Sequence, residues 1–305
     1  MADLGLGTVQ LGLPYGNNSS GTLMPVAKAH EIIRCALDNG ITFLDTAQAY
    51  GESEDRIGSF GLTDGGRSYE VSTKIPRVEQ HVWSNEKKYL KFLIETCELS
   101  RQKLRRPTLG LLQFHQCDVD FLTSPAVKSA VAQLVQRGDC ESIGISVYEL
   151  EQAFAALELP SLSAIQAPIN VIDTRFLDQS LVSKLKETNV RLLCRSIFMQ
   201  GILLPDADLP SVRKRDDLRE LRRRYLDTLR GTDPLVACIG FILKNNSRII
   251  DIAIMGVDSV ESLKANLAAS KMATSRQDEL KFDGIESVRA FAIEKNLINP
   301  ATWNV

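Results

Sequence analysis

Several features that would place the chain quickly are missing. Lys and Arg number 36 against 38 Asp and Glu, a formal net charge of −2, which argues against a general role on nucleic acid or at a membrane surface. No apolar run reaches the roughly 20 residues that a membrane span needs. The six cysteines, at 35, 97, 117, 140, 194 and 238, are widely spaced and form no C-x-x-C. They read as reduced, mostly buried thiols of a cytoplasmic protein. The start, MADLGLG, lacks the basic residues and long apolar segment of a secretory signal, in keeping with that location. His115 and Cys117 lie two apart, but no second His or Cys pair supplies further ligands, so no metal site is expected. Nor does any Pro-, Gly- or Ser-rich linker divide the sequence. One domain over 1–305 is expected.

What is present is a strand–helix alternation. A first strand is expected near 4–11, then a Gly-, Pro- and Asn-rich loop at 12–24 and a helix over 25–39. Strand 41–45, helix 53–60, strand 69–73, helix 86–104, strand 108–114, helix 124–137 and strand 141–146 follow. Helix 149–157, strand 162–166, helix 177–188 and strand 190–195 continue the series, and a long loop covers 199–210. A charged helix, 211–230, helix 233–245, strand 250–255, helix 259–270 and a tail helix near 284–295 complete it. Eight strands separated by helices mean a parallel sheet, open or closed. The first strand is followed by no G-x-G-x-x-G, the dinucleotide fingerprint of an open sheet. Candidate polar residues also end several successive strands, which converge on one mouth only if the sheet closes. The expected fold is therefore α/β, a (β/α)8 barrel of TIM type.

Three consecutive strands end in Asp45, Lys74 and His115, and Tyr50 follows Asp45 by five residues. As neighbours in a barrel these four surround one small volume. An ammonium beside a phenol lowers its pKa, so Lys74, aimed by Asp45, is expected to act on Tyr50. A neutral His115 can donate to a substrate oxygen. Together they suit protonation of an oxyanion as a carbonyl is reduced.

DTAQAYG at 45–51, STK at 72–74 and His115 resemble the Asp–Tyr–Lys–His tetrad of the aldo-keto reductase superfamily. LGLGTVQLG at 4–12, IGIS at 143–146, IQAPIN at 165–170, RSIFMQGILL at 195–204 and IMGVDSVESLKANL at 254–267 extend the likeness over nearly the whole chain in family order. The resemblance implies a (β/α)8 barrel, NADP(H) or NAD(H) bound across its C-terminal mouth, and an aldehyde or ketone as small-molecule substrate. Tyr50 would be the general acid. It also implies that Ser146 and Gln166 hold the nicotinamide carboxamide and that Asn266 reaches the adenine. Ser196, Gln200, Gly201, Gly256, Val257 and Ser259 would surround the pyrophosphate. Val147 stands where an Asn is usual, and Arg195 where many members place a Tyr beneath the nicotinamide.

Asp258 and Ser262 replace the cations that pair with the 2′-phosphate in many members. An acid there repels a phosphate and can accept from a ribose hydroxyl, the NADH preference, whereas the family implies NADPH; Arg248 and Lys264 are near enough in sequence to compensate. Elsewhere the Arg-rich helix 211–230 reads as a solvated face, with Leu218, Leu221, Tyr225 and Leu229 as its apolar stripe. Tyr15, Trp83 and Tyr148 are candidate walls of the substrate site. Two other classes fit a barrel: a lyase or isomerase of small phosphorylated substrates, and a cofactor-holding subunit that turns over slowly.

Overall fold

The computed structural model describes residues 3–15, 21–61, 66–204, 209–244, 249–275, 280–300 and 303. Eight parallel strands, β1 (Asp3–Gly7), β2 (Phe43–Asp45), β3 (Glu70–Ile75), β4 (Leu109–Phe114), β5 (Cys140–Ser146), β6 (Leu162–Pro168), β7 (Arg191–Arg195) and β8 (Ile252–Gly256), pair in chain order. β8 pairs with β1 and closes the barrel. Helices fill the crossovers and cover the outside. In the first, Val26–Asp38, the residues Ala29, Ile32, Ile33 and Ala36 form one buried stripe, the spacing of a helix with a single apolar face. Glu86–Leu104 begins where the Asn85 side chain accepts from the Lys88 amide at 3.1 Å and ends on Arg105 in the left-handed region, a cap at each end. No helix among the described residues is long and apolar enough to cross a membrane.

Side chains two apart on a strand point the same way, and here that alternation builds the interior in layers. Phe43, Leu111, Ala164, Leu193, Ile252 and Ile254 form a closed apolar cluster inside the barrel, separate from the larger core between strands and helices. One step toward the N-terminal ends of the strands, Arg191 of β7 reaches Glu70 of β3 with two hydrogen bonds, 3.0 and 2.7 Å long. One step the other way, Phe43 gives way to Asp45, Leu111 to Gln113, Ala164 to Gln166 and Leu193 to Arg195. A polar layer thus caps an apolar one at the C-terminal mouth.

Departures from the expected elements are local. β1 ends at Gly7, and Val9–Gly12 is a helical turn instead of strand, with the Leu13 amide donating to the Val9 carbonyl at 2.9 Å. The charged helix breaks at Arg215, whose extended backbone (φ −131°, ψ 116°) separates Pro210–Lys214 from Asp216–Thr228. Trp83 is a core residue, packed edge-on against Phe121.

The Val9–Gly12 turn lies directly against the segment that carries Tyr50. The Glu52 amide donates to the Gly12 carbonyl at 3.1 Å, and a Cβ on Gly12 would overlap the Tyr50 carbonyl and the Ser53 amide. Gly12→Ala is therefore expected to destabilise the fold by about 1–3 kcal/mol through overpacking, read as a lower denaturant midpoint. An unchanged midpoint would show that the turn does not hold the Tyr50 loop.

Candidate active site

The polar layer is organised on one carboxylate. Asp45 Oδ2 pairs with Lys74 Nζ at 2.6 Å, while Asp45 Oδ1 accepts from Gln166 Nε2 at 2.8 Å and from Gln113 Nε2 at 3.2 Å. Lys74 also donates to the Thr46 carbonyl at 2.8 Å, and Gln113 to Ser72 Oγ at 2.6 Å. Lys74 is wholly buried; burial pushes its pKa down and the Asp45 contact pushes back. Four strands, β2, β3, β4 and β6, meet in this one cluster.

Tyr50 sits above it, its ring centre 5.2 Å from Lys74 Nζ and 6.1 Å from the imidazole of His115. The phenol pKa is raised, first by burial and then by the Asp45 charge, with Arg195 acting in the opposite direction. This reverses the expectation that Lys74 would lower it. Loss of water is the largest cause, and the Asp45 carboxylate, itself in contact with Lys74, acts in the same direction. His115 is pushed down to about 3 by burial, with the charges of Lys74, Arg195 and Arg77 in the same direction. A protonated phenol and a neutral imidazole therefore stand side by side at neutral pH.

The loop bearing Tyr50 is fixed from beneath. Thr8 donates its backbone amide and its hydroxyl to the Asp45 carbonyl at 3.0 and 2.9 Å, and Ser53 Oγ lies 2.7 Å from Thr8 Oγ1 and 2.9 Å from Thr46 Oγ1. On the other side the buried Glu54 carboxylate accepts from Thr73 and Ser100 at 2.6 and 2.7 Å.

A cleft of about 380 Å³ opens beside Tyr50 and runs to the start of the helix Val260–Ser275. Asp45, Tyr50, Gln166, Arg195, Ser196, Gln200, Gly201, Gly256, Val257, Asp258, Ser262 and Asn266 line it, as does Tyr15. Lys74 lies behind Asp45 and His115 beside Tyr50. Ser146 is buried at the end of β5, in register with Gln166. Ser259 is taken up in capping: its hydroxyl accepts from the Ser262 amide and its own amide donates to Ser262 Oγ, both at 3.1 Å. Asp258 is exposed at this end and accepts from Ser259 Oγ at 3.2 Å. Arg248 lies outside the described residues, and Lys264 is exposed. Arg195 stacks on Tyr148, 4.4 Å from its ring centre, and donates to the Val147 carbonyl at 2.9 Å.

Two lining features were not foreseen from sequence. Gln10 presents a buried Oε1 with no partner among the described residues, and it lies against Gly256, where a Cβ would come within 3.0 Å of it. After β7 the backbone is left-handed at Ser196, Met199, Gln200 and Gly201, with φ of 59°, 48°, 53° and 91°, a run that costs non-glycine residues free energy and gathers at ligand sites. An orphaned acceptor, a glycine that keeps the wall open, several hydroxyl and amide side chains and a helix N-terminus together fit a dinucleotide.

A sequence profile described as the aldo/keto reductase family matches residues 3–286. The chain belongs to the aldo/keto reductase family. It is 26% identical over 223 residues to aldo-keto reductase YhdN of Bacillus subtilis (strain 168), a match covering 71% of this chain and 64% of that relative's length. It is 23% identical over 291 residues to the chloroplastic pyridoxal reductase of Arabidopsis thaliana, covering 84% of this chain and 76% of the relative. Among solved structures, the holo form of aldo-keto reductase AKR11C1 from Bacillus halodurans superposes with a TM-score of 0.66 at 21% identity, over 92% of each chain, which bears out the barrel.

The environment of His115 has a consequence for stability. An unfolded histidine titrates near 6.5, so between that pH and about 3 the unfolded chain binds a proton that folded His115 refuses. Stability should fall as pH drops below 6.5, with a contribution of up to about 1.4 kcal/mol per unit. Denaturant midpoints measured from pH 7 to 5 should decline less steeply in His115→Gln; identical slopes would place the imidazole in water.

Proposed function

We propose that the protein reduces an aldehyde or ketone to the alcohol, with NAD(P)H as hydride donor and Tyr50 as general acid. The observation that carries this reading is Tyr50 lining the cleft with His115 beside it and the Asp45–Lys74 pair beneath, in surroundings that favour a protonated phenol and a neutral imidazole. A bound nicotinamide would supply the hydride. His115 donates to the carbonyl oxygen and aims it at Tyr50. Tyr50 releases its proton as charge develops on that oxygen, so the acid is spent only as it is needed. Asp45 and Lys74 act through the phenol: their pairing keeps the ammonium fixed beneath the ring, where it can offset the phenolate left behind. Gln166, Ser146 and Gln10 offer amide and hydroxyl groups to a carboxamide, and Asn266 stands at the far end of the cleft for the adenine. Gly201, Gly256 and Val257 leave room for the pyrophosphate.

Tyr50→Phe tests the assignment of the acid. It should lower kcat at least about 100-fold, the lower end of a general acid's contribution, while Kd for the dinucleotide stays within a few-fold. Near-normal turnover by the phenylalanine variant with reactive aldehydes would remove Tyr50 from the mechanism. Cofactor binding with no turnover of any carbonyl by the unmodified protein would instead favour a cofactor-holding role.

Cofactor choice is assigned to Asp258. On the rim beside Ser262, its carboxylate repels a 2′-phosphate and can accept from a ribose hydroxyl, which favours NADH. Asp258→Arg should tighten NADPH by about tenfold, roughly 1.4 kcal/mol, leave NADH unchanged or weaker, and lose part of the gain at high salt. If the unmodified protein already binds NADPH far more tightly than NADH, Asp258 does not face the ribose.

A further inference from the structure

The charges in the cleft are unequally compensated. Lys74 has Asp45 in contact, and Asp45 is further engaged by Gln113 and Gln166. Arg195 has no such partner. Its guanidinium donates to the Val147 carbonyl at 2.9 Å and to Ser196 Oγ at 3.3 Å, and it rests on the Tyr148 ring. All three are neutral, and among the described residues no carboxylate comes within ion-pair distance of it. The same residue lines the cleft with Asp45, Tyr50 and Gln166, and its charge is felt at Tyr50, His115 and Lys74. Arg195 thus adds a positive charge at the wall of the cleft, opposed at the phenol by Asp45 and acting with Lys74 at His115.

What must occupy that space follows from the reaction proposed above, on which this inference rests. The carbonyl oxygen lies within hydrogen-bond reach of Tyr50, and the carbon bonded to it must touch the ring atom that gives up the hydride. The nicotinamide ring is thereby brought into the field of Arg195. Loss of one hydrogen with two electrons takes that ring from neutral to a charge of +1, while the phosphates and the adenosine are the same in both forms. Only the ring can tell the two redox states apart, and it does so by the sign of the charge beside it.

We propose that Arg195 makes the protein bind the reduced nicotinamide nucleotide in preference to the oxidised one, so that the site is biased toward carbonyl reduction and releases its oxidised product readily. Two like unit charges several ångström apart in a half-buried site can separate the affinities by a decade or more. The uncompensated guanidinium is the source, so a neutral side chain of similar reach should abolish the preference and a lysine should keep most of it.

Titration calorimetry of the 305-residue protein with NADH, NAD+, NADPH and NADP+ provides the test without turnover. The unmodified protein should bind the reduced form of whichever nucleotide it takes at least about tenfold more tightly than the oxidised form. Arg195→Gln should bring that ratio to within about threefold of one, chiefly by tightening the oxidised form, and Arg195→Lys should retain most of the preference. A ratio near one in the unmodified protein overturns the proposal whether or not either variant folds. So does an Arg195→Gln variant in which both forms weaken equally, since the guanidinium would then serve a phosphate. Failure of the unmodified protein to bind any of the four nucleotides would overturn the reductase reading itself, a distinct result from binding without redox preference.

Discussion

Everything at the mouth of the barrel depends on a buried ion pair, Asp45 with Lys74. Two charges taken out of water are costly, and the pair persists because the carboxylate receives three donors while the ammonium also reaches a backbone carbonyl. Removing one member of such a pair typically costs about 3–5 kcal/mol, because the other is left charged and dry. Burial, with Asp45 acting in the same direction, holds Tyr50 protonated, while Arg195 lines the cleft with no carboxylate in ion-pair contact among the described residues.

The surroundings of the phenol are stiff on one side and strained on the other. Short hydroxyl-bearing side chains, Thr8, Thr46 and Ser53, stitch β1, β2 and the following helix together beneath the loop. Gln48 adds bonds to the Thr96 carbonyl and Ser100 on the helix outside. Across the cleft, Ser196, Met199 and Gln200 sit in backbone conformations that L-residues seldom adopt. Such strain is tolerated where the surrounding structure over-determines it, here through the Met199 amide bonded to the Ser196 carbonyl and the Gly201 amide to that of Phe198.

How much of this could be read from sequence follows from what spacing can and cannot carry. Strand–helix alternation and polar residues at the ends of consecutive strands were enough for the barrel, and they brought Asp45, Tyr50, Lys74 and His115 to one volume. Gln113 escaped notice because LGLLQF reads as an apolar run. Only the alternation of Leu111 with Gln113 points to it, and a single polar residue in a strand is as readily an outward one. The turn at Val9–Gly12 was hidden because LGLGTVQLG has the composition of a strand throughout, and the turn is fixed by a tertiary contact with residues 50–53. The direction of the Tyr50 shift was misread for a different reason. Spacing shows that a lysine is near a tyrosine, but whether its charge is free depends on a contact of 2.6 Å with a third residue.

The other end of the barrel has its own bearing on the site. Arg191 and Glu70 close the floor, and six apolar side chains lie between that pair and the polar layer. Among the described residues this packed layer separates the floor from the polar layer, which faces the mouth. In the mechanism proposed above, the proton that restores Tyr50 would come in past the same groups that admit substrate. A tight-fitting occupant would then block that route for as long as it stayed.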